Sequence, residues 1–267
     1  MALAKAGDIE LSFDRVGDGP PLLLIMGMSG TKHHWGERLL EELRRDFDTI
    51  VYDHRDAGDS TKTGEPFTIA DLAQDAASLL QALDLESAHV MGISMGGMVA
   101  QELTLAHPER VRSLTLGCTY CGGEGSLLAS EEVLRRLMEG MSSGDRARAI
   151  RTGWEVNVSP RFAADEQAYG KFLQNGLRYA VPVPVIMEQM RAIAGHDTSA
   201  RLPNLQVPTL VVHGTLDQML PAQNGQMIAG LIPDSRLEIL DGIGHMFFLE
   251  EPGRTAELVR EHASLYV

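Results

Sequence analysis

Cysteine is nearly absent from this chain, with two among 267 residues, Cys118 and Cys121. That is too few for a disulfide framework and suits a reducing compartment. Long apolar runs are also missing. None approaches the about 20 residues that cross a bilayer, and the opening stretch MALAKAGDIELSFDRVGDG carries Lys5, Asp8 and Glu10 in place of an apolar secretory core. The expectation is a cytoplasmic protein without a membrane partner. Positive charge is short: 23 Lys and Arg face 37 Asp and Glu, a net charge of −14 that repels phosphate backbones and argues against nucleic acid. No His, Asp and Glu set has zinc-like spacing. His33 and His34 are adjacent and so point apart on a helix, His213 stands alone, and no metal or cofactor is expected. The C-x-x-C of Cys118 and Cys121 lacks a thioredoxin context, and CGGEG lacks the third glycine of a dinucleotide fingerprint.

What is present is an alternation. Short apolar runs, IELSFDRVG, PLLLIMG, DTIVYDH, AHVMGIS, RSLTLGC, PTLVVHG and RLEILDG, are separated by amphipathic stretches such as TIADLAQDAASLLQALDL and GRTAELVREHASLYV. Runs that are apolar throughout suit strands covered on both faces, so the fold class is α/β with a mostly parallel sheet. The alternation stops between Cys118 and Val207, a gap far beyond the roughly 12–15 residues at which structureless loops become unusual. ASEEVLRRLMEGM, ADEQAYGKFLQNGLRYA and VIMEQMRAIAG in this gap look helical. Residues 120–200 are therefore expected to form a helical cap on a core of residues 1–119 and 201–267.

The chemistry concentrates in HVMGISMGGMVAQE. Gly92-Ile93-Ser94-Met95-Gly96 matches G-x-S-x-G between a strand and a helix, the setting in which a serine is held on a strained, exposed turn. A serine hydroxyl is a weak nucleophile and needs a base, which in turn needs an orienting group. Asp217 follows the strand PTLVVHG and His245 follows RLEILDG, and the order Ser, Asp, His is that expected on this kind of sheet. The oxyanion of an acyl transfer needs two donors, expected from the backbone amides of Met95 and of Met28, the latter in the loop after PLLLIMG.

These residues carry a resemblance. GISMGG, GTLDQMLP, DGIGHMFFLEEP and YDHRDAGDST are similar to the corresponding stretches of the α/β-hydrolase superfamily, over nearly the whole chain. IMGMSG and YDHRDAGDS look most like the subgroup of aclacinomycin methylesterase and, more distantly, 3-oxoadipate enol-lactonase. The resemblance implies Ser94 as nucleophile, His245 as base, Asp217 as orienting acid, and a helical cap inserted after the sixth strand. Two departures stand out: Asp56 occupies a position where the family usually has glycine, and Met28 one where many members have histidine.

Substrate contacts are expected from Gly27, Met138, Trp154, Met187 and Met246. The methionines, with Met141 and Met190, could form a pliable acyl pocket or simply pack the cap. Arg146, Arg148 and Arg151 could meet a substrate carboxylate or form a solvated face. The function expected is cofactor-free cleavage of a small carboxylic ester or lactone. Carbon–carbon hydrolysis, a lyase or perhydrolase reaction, or a slow-turnover ligand receptor remain open on the same constellation, as does the oligomeric state.

Overall fold

The computed structural model describes residues 2–266. The chain opens with strands β1 (Ala2–Ala6), β2 (Ile9–Val16) and β3 (Pro21–Ile25), then helix α1 (Glu37–Leu43) and β4 (Asp48–Tyr52). α2 (Ile69–Ala82), β5 (Ala88–Ile93), α3 (Met95–Ala106) and β6 (Val111–Gly117) complete the first half. Five helices follow without a strand: α4 (Glu131–Ser142), α5 (Arg146–Asn157), α6 (Pro160–Ala163), α7 (Glu166–Arg178) and α8 (Val183–Ala194). The chain then returns through β7 (Thr209–Gly214), α9 (Gln223–Leu231), β8 (Arg236–Leu240), α10 (Phe247–Glu250) and α11 (Pro252–Ser264).

The strands form one eight-stranded sheet in the order β1-β2-β4-β3-β5-β6-β7-β8. From β4 through β8 every pairing is parallel, while β1–β2 and β2–β4 are antiparallel. PLLLI shows why the sheet is covered on both faces. Leu23 and Ile25 enter one apolar layer with residues of α2, α3 and α9, whereas Leu22 and Leu24 enter the other with residues of α1 and α11, as the two-residue period of a strand dictates. After β3 the chain builds β4 on one side, then crosses to place β5 on the other. The crevice at the carboxyl ends of β3 and β5 is thus the switch point where ligands bind in open α/β sheets.

β1 escaped the periodicity, because ALAKA is short and alanine-rich and is a strand only through pairing with β2. α3 begins at Met95, three residues before the amphipathic pattern becomes readable, because the helix starts on the elbow itself. α5 also lacks a strong apolar stripe. It is started by the Asp145 carboxylate, which accepts from the Arg148 amide, and tied by Arg151 to Glu155 and Glu166. α4 corrects the expected packing register: it seats Val133 and Gly140, leaving Leu134, Met138 and Met141 exposed.

Candidate active site

Ser94 leaves β5 with φ 54° and ψ −124°, a conformation that costs a residue bearing a Cβ on the order of 1–3 kcal/mol. The flanking glycines make the turn feasible. A Cβ on Gly96 would lie 2.0 Å from the carbonyl oxygen of Ile25, and one on Gly92 would lie 2.2 Å from that of Gly96, so the helix can sit this close to the sheet only without those atoms. The Ser94 amide donates to the Gly117 carbonyl at 2.9 Å, and the Thr119 hydroxyl donates to the Ser94 carbonyl at 2.8 Å. The elbow is thereby clamped to the end of β6.

Gly27 lies directly across the crevice: a Cβ there would approach Ser94 Cβ to 3.1 Å and Oγ to 3.6 Å. Met28 follows it, half-buried against the core. Among the described residues, the amides of Met28 and Met95 pair with no backbone acceptor in the loops and caps. Met95 opens α3, where N–H groups are free and the partial charge is positive. The loop bearing Met28 is held from two sides. His54 Nε2 donates to the Met26 carbonyl at 2.9 Å, a role for a neutral ring that suits the lowering of its pKa by burial. The Ser29 amide donates to Oε1 of Gln189 on α8 at 2.9 Å. Gln189 is a contact that sequence reading missed, since 160 residues separate the two partners.

Asp217, buried in the loop after β7, is saturated with donors. Oδ1 accepts from the amides of Met219 and Leu220, each at 2.8 Å. Oδ2 accepts from His245 Nδ1 at 2.7 Å and from His213 Nε2 at 3.1 Å. Burial alone would raise this carboxyl, but the two imidazoles outweigh it and hold Asp217 below the usual carboxylate range. Burial pulls the His245 imidazole down, and the Asp217 carboxylate overrides it and raises the pKa. Cys118, buried at the end of β6 next to the Thr119 clamp, lies within reach of the charges of His245 and Asp217, which sets the histidine near the elbow. The hydrogen-bond partner of His245 is Asp217, at Nδ1; the ring makes no hydrogen bond to Ser94 Oγ, a contact that often tightens only with substrate.

The histidine loop is fixed by Glu250. Its Oε1 accepts the amides of Gly244 and of Ser159, both at 2.9 Å, and its Oε2 accepts the Ser159 hydroxyl. The Met246 amide donates to the Asn157 carbonyl at 2.8 Å. The turn between α5 and α6 is thus bonded to both neighbours of His245. Sequence reading missed Glu250, one of two adjacent glutamates in FFLEEP that nothing in the local sequence distinguishes. Glu250→Leu leaves two buried N–H groups without acceptors and is expected to lower stability by about 2–5 kcal/mol, read as the urea unfolding midpoint.

The remaining predicted contacts divide. Met246 is half-buried next to His245. Trp154, 1% exposed, is instead the centre of an aromatic cluster with Phe162, Tyr169 and Phe172 and donates to the Ala163 carbonyl. It is a packing residue of the helical segment, because its indole is enclosed on every side. Met138 and Met187 are 70% and 53% exposed, so the core-packing reading does not describe them. Arg151 is committed to Glu155 and Glu166. Cys118 and Cys121 are buried free thiols, with burial raising the first and pushing the second up to about 11. Both are poor thiolates, which disfavours redox exchange. Asp56 takes the place of glycine at φ 65° because its own carboxylate accepts from the Thr63 and Gly64 amides and the Thr63 hydroxyl, holding the left-handed turn in place. Among the described residues, no group of His, Cys, Asp and Glu is arranged to hold a metal ion, and no helix is long and apolar enough to cross a membrane.

Comparison with known proteins gives the same architecture. Residues 20–252 match the family model described as alpha/beta hydrolase fold. A putative carbamate hydrolase RutD of Azorhizobium caulinodans is 32% identical over 253 residues, 94% of each chain. The crystal structure of the esterase RhEst1 from Rhodococcus sp. ECU1013 superposes with a TM-score of 0.85 at 26% identity, covering 100% of this chain and 99% of the other. A solved structure of Est816, described as an N-acyl homoserine lactone degrading enzyme, gives a TM-score of 0.79 at 25% identity, covering 97% of this chain and 99% of the other.

Proposed function

Because this chain belongs to the α/β-hydrolase fold family, we propose that it is a serine hydrolase that cleaves a carboxylic ester or lactone through an acyl-enzyme. The observation that carries this reading is the 2.7 Å Asp217–His245 pair delivered beside the strained Ser94 elbow. With Nδ1 donating to Asp217, Nε2 is the nitrogen left to take the Ser94 proton. Oγ then attacks the carbonyl carbon, and the amides of Met28 and Met95 receive the oxyanion. His245 returns the proton to the leaving alkoxide, and a water activated by the same nitrogen releases the acid. No step calls for a metal or cofactor. The likeness to RhEst1, an esterase, and to Est816, which degrades N-acyl homoserine lactones, supports this substrate class.

A second reading has one specific observation in its favour. The relative at 32% identity is described as a putative carbamate hydrolase, and a carbamate presents the same electrophilic carbonyl to a serine. Both readings predict that a fluorophosphonate labels one site and that the adduct maps to Ser94 by peptide mass spectrometry. Labelling elsewhere, or none on folded protein, rejects the shared mechanism. Parallel turnover of p-nitrophenyl esters, lactones and aryl carbamates then separates the two.

A further inference from the structure

His213, the penultimate residue of β7, remains without a task in the reaction as written, yet its ring is fully buried and aimed at Asp217. Its tautomer follows from its partners. Nε2 lies 2.6 Å from the Leu220 carbonyl, which can only accept, so Nε2 carries the hydrogen. The same N–H is shared with Asp217 Oδ2 at 3.1 Å. Among the described residues, Nδ1 is buried without a partner, on the edge of the ring against which Gly225 of α9 packs. An enclosed ring nitrogen with no hydrogen bond is costly, and an apolar residue would fill the space without that cost. Oδ2 is thus shared by two imidazoles, one of them that of His245.

We propose that His213 is a positioning residue of the catalytic centre. Its Nε2–H, divided between the Leu220 carbonyl and Asp217, fixes Oδ2 beneath His245 and limits the negative charge that this oxygen lends to the imidazole. The inference rests on the Ser94, His245, Asp217 reading above. The titratable groups facing the cluster are few: Asp217 and Cys118 face His245, while His245 and His213 face Asp217. Glu250 is engaged by Gly244 and Ser159.

The test compares His213→Leu, which removes the donor, with His213→Gln, whose amide nitrogen can stand where Nε2 was. Two quantities are measured: the acid limb of kcat/KM against pH with p-nitrophenyl acetate, and the NMR titration of 15N-labelled His245. In His213→Leu, Oδ2 loses a donor and stabilises the imidazolium more strongly. Both curves should then move to higher pH by about half a unit to one unit, and kcat should fall about fivefold through looser positioning. His213→Gln should return both curves toward wild type. A folded His213→Leu with both curves unmoved overturns the proposal, as does an equal shift in both variants. Should the leucine variant fail to fold, His213→Asn, too short to reach Oδ2, takes its place with the same expectations. Absence of any turnover in the wild type counts against the hydrolase reading alone, since the NMR titration needs no substrate and still decides the role of His213.

Discussion

Changing Ser94 to alanine is expected to lower ester turnover by roughly 10⁴–10⁶-fold, with His245→Ala falling in the same range and the double variant losing little more than either single one. In the proposed mechanism the two groups act as one device. Without the base the hydroxyl keeps its proton, and without the hydroxyl the base has no proton to take. On the proposed mechanism, what survives in each variant is the contribution of the two amides at Met28 and Met95 and of substrate binding, which neither change touches. Ser94→Ala should fold normally. The elbow is held through the Ser94 backbone, by Gly117 and Thr119, and alanine fits wherever serine does. Single-turnover rates with an activated ester, measured beside circular dichroism spectra, check both points. Losses that multiply in the double variant would show that the two residues act independently.

Asp217→Asn is expected to cost about 10³–10⁴ in kcat and also to move the pH profile. Oδ2 accepts from His245 and His213 while Oδ1 accepts two backbone amides. An asparagine amide must place its NH₂ against one of these sets of donors and lose them. If it turns toward His245, the imidazole rotates or changes tautomer, and Nε2 no longer presents a lone pair to Ser94. The direction of the pH effect follows from the environment of His245. The base works only when neutral, so the rate falls as pH drops through its pKa. Burial pulls that pKa down and Asp217 raises it above the ordinary histidine value. Removing the carboxylate leaves burial in place, so the acid limb of kcat/KM should shift to lower pH while the plateau falls. A limb that moves to higher pH, or a plateau within tenfold of wild type, would contradict this account of Asp217.

The elements that were legible in the sequence share a cause. β3, β5 and β7 are buried on both faces and therefore read as unbroken apolar runs, and the elbow carries glycines because backbone atoms pass within contact distance of it. Elements that escaped reading owe their existence to partners. β1 is a strand because β2 is beside it, and α5 is a helix with buried Trp154 and Val156 in a stretch otherwise rich in charge. Met138 and Trp154, both read as substrate contacts, turn out exposed and fully buried respectively for a related reason. Helical spacing tells which residues share a face, but a neighbouring helix decides which face is covered.

The order of Ser94, Asp217 and His245 along the chain, the strands that end just before them and the glycines that let the elbow form are properties of the local sequence, since period, turn chemistry and steric crowding act over a few residues. The tertiary structure alone decided that Gln189 holds the Met28 loop, that Glu250 joins the turn before α6 to the loop of His245, and that Asp217 serves two histidines at once. Each of these rests on hydrogen bonds between groups whose pairing leaves no periodic trace, because a buried polar atom can be satisfied by whichever part of the chain the packing of the apolar layers brings within 3 Å.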